Sequence, residues 1–210
     1  MHDTASIAGE AFADVYGGPG KIVIDLGGKN VNGSLRSFFA NRGMTFISVD
    51  LEDDASVDIV VKPCEKLPFE DGSIDLIVST SCFEHDPCFW MTFKEMTRLV
   101  KPGGFIYVNA PTIGPYHCYP GDNWRFYSDA GQALAYWSGI QVSTEIVYPV
   151  KVVETFHMVD NYWNDFVCVW QRVDGPETNI TVSSEIVNEI GLLEQRIHDQ
   201  GFETRKKCSF

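Results

Sequence analysis

Residues 21–33 read KIVIDLGGKNVNG, and the fold is decided there. Ile22, Val23, Ile24 and Leu26 form a near-continuous apolar run, the signature of a parallel strand covered on both faces. Gly27 and Gly28 end the run. Without a Cβ they let the chain turn tightly and approach a ligand, and the amides of a helix opening at Ser34 would draw an anion. TFISVD is a second strand and ends on Asp50, where an acid can accept both hydroxyls of a ribose. Nicotinamide-dependent enzymes share this much, so the pair implies a nucleoside cofactor without naming it.

Outward from this core, strand and helix signals alternate. Ser34 to Asn41 reads as a helix, SVDIVV as a third strand, and SIDLIVST as a fourth, entered through the Asp71-Gly72 turn. Asp86 as N-cap and Pro87 as first helical residue open the next helix, on which Phe89, Phe93, Met96 and Val100 recur at helical spacing. Lys101-Pro102-Gly103-Gly104 stops it, and FIYVNAP is the fifth strand. A helix from Ser128 to Ser138 is followed by two apolar runs, Ile140 to Val150 and Asp165 to Val173. With no helix of normal length between them, they read as an antiparallel pair. The sum is one α/β domain over residues 1–210: a Rossmann-like, seven-stranded, mostly parallel sheet with helices on both faces and the last strand antiparallel. Residues 1–20 form an N-terminal helix and turn, 21–173 the core, and 183–200 a C-terminal amphipathic helix. Ile186, Ile190, Leu193 and Ile197 lie on one face of that helix, for docking on the domain or on a second copy, or as a substrate lid.

Composition narrows the function classes. Sixteen Lys and Arg stand against 29 Asp and Glu, a net charge of −13. Phosphate backbones repel such a chain, and Arg205, Lys206 and Lys207 are the only basic cluster, so no nucleic-acid partner is expected. No apolar run reaches the roughly 18 to 20 residues of a membrane span, and a signal-peptide pattern is missing from the first residues, so no membrane partner and a cytoplasmic location are expected. The six cysteines are scattered without a CxxC pair, and no metal centre is expected from their spacing.

Two downstream blocks, CEKLPFEDGSIDLIVSTSCFEH and EMTRLVKPGGFIYVNAP, resemble those of class I S-adenosylmethionine (SAM)-dependent methyltransferases of the common small-molecule subgroup. The resemblance covers Lys21 to Asn109 and implies SAM as cofactor, with S-adenosylhomocysteine (SAH) as product. It implies that Asp25, Gly27 and Gly28 surround the methionine part and that Asp50 takes the ribose hydroxyls with Leu51 beside the adenine. By the same resemblance Cys64 and Glu65 edge the adenine, and Ser81 and Cys82 lie near the sulfonium. The chain departs from that pattern at Lys29 and Asn30, where a second glycine step is usual, and at Pro63, where many relatives carry an acid. Asparagine tolerates left-handed geometry, which would preserve the turn.

Methyl transfer to an alcohol requires alignment and removal of a proton. His85 after the fourth strand, and His117 and Asp122 after the fifth, are the candidate bases, since ligands bind at the carboxyl ends of strands in such sheets. His85 has a structural alternative as a brace of its turn. The segment HCYPGDNWRFY is dense in aromatics. Tyr116 just before it, and Trp124 and Arg125 within it, are the candidate substrate-binding residues, because aromatic faces and polar forks suit sugar rings. The segment resembles one found in methyltransferases of polysaccharide-building enzymes, and the methyltransferase domain of chlorovirus glycan-synthesis proteins. That resemblance implies O-methylation of a sugar or glycan, with a deoxyhexose such as rhamnose as acceptor. A small aromatic or lipid-like acceptor, and a SAM-binding protein without catalysis, are the alternatives. A homodimer, or membership of a larger glycan-synthesis polypeptide, would give the same sequence.

Overall fold

The computed structural model describes residues 2–118, 120–160, 162–177 and 190–206. Helix α1 (Asp3–Tyr16) leads into β1 (Ile22–Leu26), α2 (Arg36–Ala40), β2 (Thr45–Asp50), β3 (Ile59–Val60) and β4 (Ile74–Thr80). Then follow α3 (Phe89–Leu99), β5 (Val100–Ala110), α4 (Ala130–Trp137), β6 (Ile140–Val142), β7 (Glu145–Met158), β8 (Phe166–Glu177), α5 (Leu192–Asp199) and β9 (Thr204–Arg205). The sheet runs β3-β2-β1-β4-β5-β8-β7-β6, with β9 paired to β7. β1 to β5 are parallel neighbours, whereas β8 inserts antiparallel between β5 and β7. This is a Rossmann-like α/β fold with a mostly parallel sheet, and the reversed strand lies where the two late apolar runs predict it.

Alternation along the strands explains the two covered faces. Ile24 and Leu26, Ile106 and Val108, and Phe166, Cys168 and Trp170 face one way, against Phe93, Met96 and Leu99 of α3 and Leu134 of α4. Val23, Tyr107, Val167 and Val169 face the other way, against Phe12 of α1, Phe39 beside β2, and Leu193 and Ile197 of α5. Successive strand side chains point to opposite faces, so every core strand has to be apolar at most positions.

Several expectations are corrected. Among the described residues nine strands replace seven, because left-handed Ser143 turns the Ile140 run back on itself as the β6–β7 hairpin and β9 adds to the far end of β7. The helix after β4 begins at Phe89 with Cys88 as cap, not at Pro87. Asp86 braces the turn before it, accepting the Cys88 N–H at 2.8 Å and the Thr92 hydroxyl. The third strand shrinks to two residues and the second helix to five.

The C-terminal helix docks on the domain. Glu154 of β7 is buried and accepts the Leu193 and Glu194 amides at 3.0 and 3.1 Å, holding the open end of α5, while Tyr16 of α1 donates its hydroxyl to the same carboxylate. Leu193 and Ile197 are buried and Ile190 is exposed; Ile186 lies outside the described residues. Among the described residues no helix is long and apolar enough to cross a membrane.

Candidate functional site

Strand order reverses between β1 and β4, and ligands bind parallel α/β sheets at the carboxyl side of such a switch. A cleft of about 1690 Å³ opens there. Asp25 to Gly28 line it after β1, Asp50 and Leu51 after β2, and Ser81 and Cys82 after β4. Cys64 and Glu65 line it from the loop after β3. All nine residues assigned to the cofactor therefore meet in one place.

The glycine turn is built for close approach. Gly27 has φ +77°, and a Cβ there would meet Cys82 Sγ at 2.5 Å and Cys82 Cβ at 2.6 Å. A Cβ on Gly28 would meet Ser48 Oγ at 2.4 Å. The amides of Gly27 and Gly28 both donate to the Val49 carbonyl, tying the turn to β2. The departure at Lys29-Asn30 is absorbed differently from the expectation: the left-handed residue is Gly33, and Asn30 Oδ1 accepts its amide at 2.8 Å.

Asp50 is held by its own surroundings, its carboxylate accepting the amides of Lys29, Leu51 and Glu52 at 3.0, 2.7 and 3.2 Å. Leu51 stands beside it in the cleft, 55% exposed, an apolar face suited to a flat ring. Burial pushes the Asp25 carboxyl up to about 7, helped by the Asp50 charge. Ser81 and Cys64 adopt φ +50° and +61°, a conformation rare outside glycine and concentrated at working sites. The Ser81 hydroxyl is buried with no partner among the described residues. The glycine cradle, the exposed Leu51 and this unpaired hydroxyl fit a nucleoside cofactor with a polar tail.

Beyond β4 the chain reads Glu84-His85-Asp86, and the loop after β5 folds back onto it. The Glu84 carbonyl accepts the amides of Asn123 and Trp124 at 2.7 and 3.2 Å. The His85 carbonyl accepts Asn123 Nδ2 at 2.8 Å, and the Asp86 carbonyl accepts Trp124 Nε1 at 2.9 Å. This clasp brings the His85 and His117 rings edge to face, with centroids 4.9 Å apart. Ligand atoms of Glu84, His85 and His117 all lie within 4.8 Å of one another, and all three residues line the cleft.

The charges of this corner are uneven. Burial pushes the Glu84 carboxyl up to about 8, with the Asp165 and Asp122 charges adding to it. Burial lowers the His85 imidazole, against the pull of the Gly121 carbonyl on its ring. The forked pairing with Arg125 holds Asp122 far below the ordinary carboxylate range, and the His117 amide donates to it as well at 2.9 Å.

The sequence candidates thus divide. His85 and His117 meet on the cleft. Asp122 has both its oxygens engaged by Arg125, which disfavours it as a proton acceptor. Tyr116, Trp124 and Arg125 lie outside the lining of this cleft, and Trp124 and Arg125 line a smaller pocket beside it. Tyr116 is 72% exposed, Trp124 packs on Phe89 and Trp90, and Arg125 clamps Asp122 and the Pro115 carbonyl. Sequence reasoning missed Trp163, whose ring meets that of His117 at 4.8 Å and stacks on His2 at 5.6 Å. Only the topology brings it there, since it precedes β8. Glu84 adjoins His85 in sequence, and its approach to His117 is set by the fold. Tyr119 lies outside the described residues.

Residues 25–108 match the family model described as a methyltransferase domain. Those 84 residues are two fifths of the chain. An uncharacterized methyltransferase of Mycobacterium leprae (strain Br4923) is 29% identical over 128 residues, 54% of this chain and 47% of its own length. Another, from Mycobacterium sp. (strain JLS), is 32% identical over 107 residues, 46% of this chain and 42% of its own. The chain thus spans about half the length of the curated relatives it matches. Among solved structures, the Burkholderia thailandensis 1,6-didemethyltoxoflavin-N1-methyltransferase is 16% identical with a TM-score of 0.62, covering 82% of this chain and 80% of that one. The [4+2]-cyclase SpnF aligns with a TM-score of 0.60 at 10% identity, covering 81% of each chain. The fold alone therefore does not fix the chemistry, which has to come from the site.

Proposed function

We propose that this chain is a SAM-dependent methyltransferase acting on a hydroxyl of a small-molecule acceptor bound beside Glu84, His85 and His117. SAM is the methyl donor, held by Asp25, Gly27, Gly28, Asp50 and Leu51, and supplies a methyl group on a positively charged sulfur. The observation that carries the reading is that the cofactor loop and the Glu84–His85–His117 corner share one cleft. An alcohol gives up its proton reluctantly at neutral pH, so a reactive corner at the strand ends is what hydroxyl methylation requires. The small aromatic or lipid-like acceptor fits this site better than the sugar. Trp124 and Arg125, the supposed sugar platform, are engaged elsewhere, and apolar Met91, Pro111, Pro120 and Trp163 line the cleft. The sugar reading keeps the resemblance of HCYPGDNWRFY as its support.

The test is calorimetry with SAM and SAH, followed by a mass-spectrometric screen for methyl incorporation from labelled SAM. The panel holds phenols, lipid-like alcohols, nucleotide sugars and oligosaccharides. Methylation of a phenol or lipid-like alcohol is the expected result. Transfer confined to sugars would restore the glycan reading, and failure to bind either SAM or SAH would overturn the assignment as a whole.

A further inference from the structure

The Glu84–His85–His117 corner has three properties that together suit a metal centre. First, each histidine is oriented through Nδ1. The His85 Nδ1–H donates to the Gly121 carbonyl, and His117 Nδ1 lies 3.2 Å from Asp122 Oδ2 and 3.3 Å from the Pro115 carbonyl. Imidazoles that ligate metals donate their second ring N–H to a carbonyl or carboxylate in this manner, which fixes the tautomer and leaves Nε2 as an electron-pair donor. Second, Glu84 is 1% exposed, and its Oε2 has no hydrogen-bond partner among the described residues, while its Oε1 lies 3.7 Å from His85 Nε2. A buried, unpaired carboxyl oxygen is costly, and a cation would satisfy it. Third, the separations suit one ion. Ligands at about 2.0 to 2.2 Å from a metal stand about 3.3 to 3.6 Å apart in a tetrahedral site, so the Glu84–His85 pair at 3.7 Å is near that spacing and a pair at the 4.8 Å limit closes by a little over 1 Å.

We propose that Glu84, His85 and His117 bind one divalent first-row transition-metal ion, which takes the acceptor oxygen in an open coordination position. Two imidazoles and a carboxylate suit zinc, iron or manganese better than magnesium or calcium, which favour oxygen donors throughout. The ion makes the bound hydroxyl more acidic, so its proton leaves to solvent and an alkoxide remains on the metal. The oxygen lone pair then forms the O–C bond as the C–S bond of SAM breaks, its electron pair staying on sulfur to give SAH. The histidines hold the ion rather than the proton. Asp122, clamped by Arg125, acts as a positioning residue through His117.

The proposal rests on the methyltransferase reading for its acceptor step, and binding is measured without turnover so that the two can fail separately. Metal-free protein is titrated with Zn²⁺ by calorimetry and with Mn²⁺ by electron paramagnetic resonance, with SAH binding and circular dichroism as controls. One equivalent of Zn²⁺ or Mn²⁺ is expected to bind. His117→Ala and Glu84→Gln should each weaken it at least about a hundredfold, and Asp122→Asn about 10- to 100-fold, the usual effect of losing an orienting partner. All three variants should keep the wild-type circular dichroism and SAH affinity. Protein that binds SAH but neither ion, or that binds an ion equally well after His117→Ala and Glu84→Gln, overturns the metal site and leaves the methyltransferase reading standing. Ion binding without SAH binding would do the reverse.

Discussion

Gly27→Ala isolates what the cofactor turn demands of the sequence. Alanine at φ +77° meets the left-handed penalty of roughly 1–2 kcal/mol. Its Cβ also arrives 2.5 Å from Cys82 Sγ and 2.6 Å from Cys82 Cβ, and Cys82 is fixed by the end of β4 rather than being the far end of a flexible chain. Overpacking of that kind costs about 1–3 kcal/mol. The two effects sum to about 2–5 kcal/mol, a large part of the roughly 5–15 kcal/mol that stabilises a typical domain. Urea unfolding of the two proteins measures it directly. The contributions separate in a Cys82→Gly background, where the steric part disappears and Gly27→Ala should cost only the left-handed 1–2 kcal/mol or so. A loss below about 1 kcal/mol in the wild-type background, or an equal loss in both, would refute the claim that this turn is closed against β4.

Three further outcomes follow from the site. Asp50→Ala should weaken SAH binding by roughly ten- to a hundredfold, as expected for hydrogen bonds to a charged acceptor worth about 1.5–3 kcal/mol, with unfolding midpoint and calorimetric Kd measured side by side. Trp124→Ala should lower kcat and the melting temperature with little change in acceptor KM, because the indole clasps the Asp86 carbonyl outside the cleft; a rise in KM alone would return Trp124 to the acceptor site. Asp25, pushed up to about 7 by burial, keeps its proton in the folded chain where an ordinary aspartate at 3.8 has lost it. Its contribution to stability is therefore complete below about pH 3.8 and is lost as pH rises through about 7. Urea midpoints taken from pH 4 to 8 should show that fall in the wild-type chain and a flatter profile in Asp25→Asn.

Much of the fold was legible because its signals are local and repeated. The apolar run at Ile22, the glycine turn and the acid at Asp50 each rest on chemistry within a few residues, and they meet as expected. The antiparallel pair was legible from the missing helix between two apolar runs. What escaped was set by tertiary context. The Ile140 run gives no hint of the left-handed Ser143 that folds it into a hairpin. The Asp86-Pro87 pair carries the signature of a helix start, yet Asp86 stands three residues ahead of Phe89, where the helix begins, and spends its carboxylate on Cys88 and Thr92.

The aromatic loop is the part of the site whose sequence says least about its geometry. Trp124 and Arg125 attract attention as a sugar platform because of their residue types, and residue type does not say which way a side chain is held. In the fold, Trp124, Asn123 and Arg125 spend their hydrogen bonds on the carbonyls of Glu84, His85 and Asp86 and on Asp122. The same bonds bring two histidines, 32 residues apart in sequence, to within ring contact. A loop of such composition is costly to order, and the order it gains is concentrated on one corner of the cleft. The unusual segment and the reactive corner are thus a single device. The segment supplies one reactive group, His117, and the scaffold that aims the others, and for that reason loss of Trp124 should be felt in turnover before it is felt in acceptor binding.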